Sequence, residues 1–189
     1  MDVIISEGET SVRIEADENL LPYIITELRD NWLEIKLENN ISIKSQNDVK
    51  IYITTPSLTN ISVAGSGDVT ATGDFDSGKK AAYSIAGSGD ITMVVNAPRV
   101  EADIAGSGNL KLTGMTRDLD VKIAGSGNFE GNDLKAENAK VKIAGSDDVF
   151  LFADVNLDAK VVGSGSVKYR GNATVNRKVV GSGSISKMP

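Results

Sequence analysis

The chain has no cysteine and no histidine. Without cysteine there is no disulfide framework and no thiolate to hold a metal or attack a substrate. Without histidine the commonest general base and the commonest metal ligand are both missing, so a Ser-His-acid nucleophile is excluded. No apolar run approaches the length that crosses a bilayer as a helix. The opening Met1-Asp2-Val3-Ile4-Ile5 has neither a basic start nor a long apolar stretch, so no signal peptide is read there. Proline is scarce, at 4, and aromatic residues make up 5%; a disordered chain would show more proline and less aliphatic content. Lys and Arg number 20 against 26 Asp and Glu, a net charge of −6. Nucleic-acid binding is not expected, because phosphate contacts need clustered cations.

Glycine is what the chain has in quantity, and it is periodic. Gly65-Ser66-Gly67 recurs at Gly87-Ser88-Gly89, Gly106-Ser107-Gly108, Gly125-Ser126-Gly127, Gly145-Ser146-Asp147, Gly163-Ser164-Gly165 and Gly181-Ser182-Gly183, at intervals of 22, 19, 19, 20, 18 and 18 residues. Aligned on the first glycine, the copies share an apolar residue two places before it (Val63, Ile85, Ile104, Ile123, Ile143, Val161, Val179). The next place is also apolar (Ala64, Ala86, Ala105, Ala124, Ala144, Val162, Val180), and so is the fourth after the glycine, from Val69 to Ile185. Polar residues alternate with them. Period two means strand with one face buried. Each copy therefore reads as a strand, a tight Gly-Ser-Gly bend, a second strand and a variable return.

One such unit cannot bury its own apolar face; stacked about 4.8 Å apart, the units make one continuous core. A coil of 18–22 residues is too short for a propeller blade of about 40. The fold expected is all-β: a single-stranded right-handed parallel β-helix, or solenoid, of about seven Gly-Ser-Gly coils, right-handed because parallel crossovers are. Residues 1–189 are expected to form a single solenoid domain, with irregular N-terminal coils and a modified capping region over 1–60 and regular repeats over 61–189. Within 1–60, Val3–Ile5 and Ser11–Glu15 alternate around a turn at Glu7-Gly8-Glu9, Trp32–Leu37 follows a hairpin-like turn at Arg29-Asp30-Asn31, Val49–Ile53 alternates, and Asn19–Tyr23 suits a short helical turn.

The recurring Ile/Val-Ala-Gly-Ser-Gly-Asp/Asn unit, joined to the opening Asp2-Val3-Ile4-Ile5 and Val12-Arg13-Ile14-Glu15-Ala16-Asp17-Glu18-Asn19-Leu20-Leu21-Pro22-Tyr23-Ile24, resembles the putative auto-transporter adhesin, head GIN domain family of Bacteroides-type bacteria. The resemblance covers nearly the whole chain. It implies a right-handed β-helix on an exported protein, in the periplasm, on the outer membrane surface or outside the cell. It further implies a non-enzymatic adhesin-like or structural module whose partner is a glycan or a cell-surface protein. It carries over no catalytic or binding residue. No cofactor is expected.

Several columns could still carry chemistry. The serines of the bends form either a hydroxyl stripe for a ligand or, as the preferred reading, a ladder satisfying backbone groups. Asp68, Asp90, Asn109, Asn128, Asp148, Ser166 and Ser184 follow the bends; the column is read as a ligand-binding one able to hold calcium, against which half of it lacks a carboxylate, or as an Asx ladder capping turns. Asp147, in place of a glycine, makes Asp147-Asp148 a weak candidate for an oxygen-seeking cation. Asp68 and Asp90, if one coil apart, would have carboxyls about 5 Å from each other, near retaining-glycosidase spacing, so a carbohydrate-active enzyme is the alternative function. Against it, no inter-repeat interval exceeds 22 residues, leaving little chain to wall a cleft. Lys122, Lys142, Lys160 and Lys178 form either a cationic stripe for anionic glycans or a solvated face neutralised by Asp120, Glu130 and Asp158. Trp32, Tyr23, Tyr52, Tyr83 and Tyr169 are scattered, and core or cap packing is their expected use. The far end, Ser184–Pro189, shows no cap, so its edge is expected to offer a surface for homo-oligomers; a structural assembly module is the third reading.

Overall fold

The computed structural model describes residues 1–38 and 48–189. An N-terminal group of strands comprises β1 (Asp2–Glu7), β2 (Ser11–Glu15), β3 (Ile24–Arg29), β4 (Trp32–Leu37) and β5 (Lys50–Thr55). The coils follow as β6 (Asn60–Gly65), β7 (Asp68–Thr72), β8 (Ala81–Gly87), β9 (Ile91–Gly106), β10 (Asn109–Gly125), β11 (Asn128–Gly145), β12 (Asp148–Gly163), β13 (Ser166–Arg170), β14 (Thr174–Gly181) and β15 (Ser184–Lys187). No α-helix occurs among the described residues.

The chain is a β-solenoid of about seven turns. Each coil gives a segment before its Gly-Ser-Gly bend and one after it; in β9 to β12 a single long strand runs from one bend to the next. All coil pairings are parallel and in register on the glycines: Gly65 opposite Gly87, then Gly106, Gly125, Gly145, Gly163 and Gly181. Unequal coil lengths are absorbed where the register shifts, between Lys111 and Gly114 and between Gly131 and Lys135, so the bends themselves stay aligned.

The bend is compact because it has no Cβ at its ends. Gly106 lies at φ 130°, and a Cβ there would stand 2.2 Å from the carbonyl oxygen of Gly87 one coil earlier. A Cβ on Gly108 would stand 2.1 Å from the oxygen of Gly89 and 2.7 Å from Ile85 Cγ2. The freed space lets Ser107 N–H and Gly108 N–H both donate to Gly87 O, at 2.8 and 3.2 Å. Inside the coils the aliphatic columns stack into one core: Ile85, Ile104, Ile123, Ile143 and Val161 on one side of the bend, Ile91, Leu110, Phe129, Val149 and Val167 on the other.

At the N-terminal end β1, β5 and β2 extend this stack, while β3 and β4 form a separate two-stranded sheet. β1 lies between β7 and β5, parallel to both, and Asp68 N–H donates to Met1 O at 3.2 Å. The turn at Glu7-Gly8-Glu9 does join β1 to β2, but these two strands do not pair: β5 separates them, and β2 runs antiparallel on its outer edge. Leu20, Val49 and Ile51 form a second, smaller core, continuous with the first through Val3 and Ile53. The expected hairpin turn is present: β3 and β4 pair across Asp30 and Asn31, both at positive φ, as a two-residue hairpin of this twist requires. The helical turn is a 3-10 turn, Leu21–Tyr23.

Candidate functional site

The segments before the bends, in β6, β8, β9, β10, β11, β12 and β14, lie side by side and present one flat outer face. Three places before each bend glycine, its column begins with satisfied groups. Ser84 and Ser62 hydroxyls hydrogen-bond at 2.9 Å, and Lys122 pairs with Asp103 at 3.4 Å. Asp103, with Asp120 behind it, holds the Lys122 ammonium above its ordinary range. Lys142, Lys160 and Lys178 follow in strict register, exposed, and no ion pair to any of the three occurs among the described residues. None of the acids expected to neutralise them forms an ion pair with these three. Asp120 serves Lys122, Asp158 accepts a hydrogen bond from Asn176 Nδ2 at 3.3 Å, and Glu130 lies across the bend, in register with Lys111 and Phe150.

Beside the lysines runs a column that the alternation hides. Ala86, Ala105, Ala124, Ala144 and Val162 are apolar yet point outward and are exposed. They floor a shallow trough of about 580 Å³ whose wall includes Lys122, Lys142 and Lys160. The strict period counted from the buried Ile column is the signal that places them outside.

The Asp and Asn residues after the first five bends, Asp68 to Asp148, are brought together as a hydrogen-bonded ladder. Asp90 N–H donates to Asp68 Oδ1 at 3.0 Å, and Asn109 donates its N–H and Nδ2 to Asp90 Oδ1 at 2.7 and 3.0 Å. Asn128 Nδ2 donates to Asn109 Oδ1 at 2.9 Å, and Asp148 N–H to Asn128 Oδ1 at 3.2 Å. The seven bend serines are exposed and their hydroxyls take no part in the ladder; in five of them, Ser88, Ser107, Ser126, Ser146 and Ser164, the backbone N–H donates to the preceding coil. The expected role of the hydroxyls thus passes to the main chain.

Asp147 is fully buried, and neither carboxyl oxygen has a well-formed hydrogen bond. Burial pushes its carboxyl above the usual range; the N–H groups of Gly127 and of Asp147 itself oppose this in part, and the charge of Asp148 adds to it. Both N–H groups forgo the bond to the preceding bend carbonyl that Gly89, Gly108, Gly165 and Gly183 make. The bend is therefore opened to admit the side chain. Calcium takes six to eight oxygens, and no group of three or more candidate acidic ligands occurs among the described residues.

A second groove, about 490 Å³, lies at another corner of the coils, between Pro98, Met115, Lys135, Glu137 and Phe152. Lys135 Nζ stands 4.1 Å from the centre of the Phe152 ring, so the ring face is already covered by a cation. Neither groove contains Asp68 or Asp90. Of the aromatic residues, Tyr83 is buried and Tyr169 packs against the core, Tyr52 lies under Arg13, and Trp32 and Tyr23 are exposed instead of packed.

A stack of in-register bends, six of them Gly-Ser-Gly, that displays flat, chemically repeated faces defines a parallel β-solenoid. The chain belongs to the family described as putative auto-transporter adhesin, head GIN domain, whose model matches residues 1–173. Among solved structures it is similar to a putative adhesin from Bacteroides fragilis NCTC 9343, with TM-score 0.89 and 25% identity over 99% of this chain and 88% of that one. It is also similar to a putative lipid binding protein from Parabacteroides distasonis ATCC 8503, with TM-score 0.74 and 25% identity over 100% of this chain and 89% of that one. A putative adhesin from Parabacteroides merdae ATCC 43184, 22% identical with TM-score 0.72 over 100% of this chain and 88% of that one, shares the fold. No curated protein matches. No helix among the described residues is long and apolar enough to cross a membrane.

Proposed function

We propose that this protein is a non-enzymatic binding module, exported to the cell envelope or beyond it, that attaches to an anionic component of a surface through the face carrying Lys122, Lys142, Lys160 and Lys178. The observation that supports it most is the state of the last three lysines. Stacked like charges in neighbouring strands are unfavourable for the fold, and here they stand exposed with no pairing acid. An anionic ligand relieves that repulsion, and charge complementarity of this kind steers and selects a partner. The family's adhesin description supports attachment and export. The description of the Parabacteroides distasonis relative as a putative lipid binding protein makes lipid the competing ligand class.

Binding of the purified protein to immobilised anionic polymers, neutral polymers and lipid vesicles, over a salt series, tests this. Saturable binding that weakens with salt and is lost in the double variant Lys142→Glu/Lys160→Glu is expected, with no new reducing ends in bound glycan. Sugar release that disappears in Asp68→Asn would replace this reading with the enzymatic one. Light scattering on the same samples tests association of copies through β14 and β15, whose outer edges carry no further strand among the described residues.

A further inference from the structure

We propose that the ligand of this face is a linear polyuronate, an unbranched glycan with one carboxylate per ring, lying along the solenoid axis. This rests on the binding reading above and names its ligand class. The lysines recur once per coil, so their attachment points repeat at about 4.8 Å and the four span roughly 14 Å. A single headgroup would engage one or two of them; a column asks for a ligand whose charge repeats along its length. A pyranose ring linked through opposite ring carbons advances its chain by about the rise of one coil, about 4.8 Å; because successive rings turn about the chain axis, every second or third carboxylate faces the lysine column, and a longer chain brings more of them to it.

The trough floor sharpens the choice. Ala86, Ala105, Ala124, Ala144 and Val162 offer methyl groups to the axial C–H faces of such rings, while the charged edge meets the lysine wall. A small ligand buries about 70–90% of its surface in its pocket. A floor one methyl deep cannot do that for a free acyl chain, whereas an extended polymer needs only many shallow contacts. Nucleic acid fits less well, because the trough is lined by no aromatic side chain on which a base could stack.

Size-fractionated oligogalacturonates, from the single acid to the octamer, titrated into the intact protein at two salt concentrations test the inference. Affinity is expected to rise about tenfold or more between dimer and octamer as more carboxylates reach the lysine column together. Each of Lys142→Glu and Lys160→Glu is expected to lower octamer affinity about tenfold. Ala124→Glu, which places an acid in the floor, is expected to do the same, while Lys111→Glu on the other side of the bend leaves it unchanged. All four side chains are exposed, and an unaltered circular dichroism spectrum shows that the fold persists. Equal affinity for the single acid and the octamer, or indifference to the lysine and alanine changes, overturns the inference. Binding of oleate, anionic vesicles or polysulfates without binding of oligogalacturonate overturns the ligand class and leaves the binding reading standing; silence toward every anionic probe overturns both.

Discussion

Asp147 occupies a place where the other six bends carry glycine. A buried carboxyl without good partners costs about 1–3 kcal/mol, and here it also opens two backbone hydrogen bonds. Asp147→Gly is therefore expected to stabilise the protein at neutral pH by about 1–3 kcal/mol, read from urea melts. The pH dependence has a definite sign. The folded-state value is raised, so the fold resists ionisation more than the unfolded chain does. The penalty is absent below the unfolded carboxyl value of about 3.9, grows as pH rises toward the folded value, and is complete above it. The stability gap between the natural chain and Asp147→Gly is expected to narrow as pH falls through the raised folded value toward about 4, and to change little below that. A gap that widens on acidification would mean that the carboxylate is held by its neighbouring N–H groups.

Elements are shaped by the two glycines of each bend, for different reasons that substitution separates. At Gly108 the backbone angle is ordinary, but a Cβ meets Gly89 O and Ile85 Cγ2. Gly108→Ala forces the coils apart and is expected to cost about 2–3 kcal/mol. At Gly65 a Cβ would meet nothing within 4 Å, yet φ is 100°, so Gly65→Ala is expected to cost only the left-handed strain, about 1–2 kcal/mol. Thermal melts of the two variants check the order. This chemistry was legible in the sequence, since the Gly-Ser-Gly period and the alternation around it lead directly to stacked coils. The pairing of β1 with β7 was not, because a contact between residues 2–6 and 68–72 leaves no local pattern. The lysine column was visible, but its lack of partners was not. Whether Glu130 reaches a lysine depends on the bend placing it across the coil, and the outward turn of the Ala column depends on the same geometry.

At the scale of the whole molecule the coils are nearest-neighbour units, and stability is close to a sum over coils and their interfaces. Removing residues 107–125 joins Gly106 to Ser126 and deletes one coil between glycines already in register. The new neighbours are compatible. Ile104 meets Ile143, Asn128 reaches Asp90 in place of Asn109, and Asp103 gains Lys142 where it had Lys122. The shortened protein is expected to fold with an unchanged β spectrum and a urea m-value lower in proportion to the surface of one coil. It should also bind the anionic polymer more weakly, because the column is one lysine shorter and another lysine is newly paired. Loss of cooperative unfolding would show that coils are not interchangeable and that the opened bend at Asp147 depends on the bend removed. Retained folding with undiminished binding would place the ligand away from the lysine face, on a surface that does not scale with coil number.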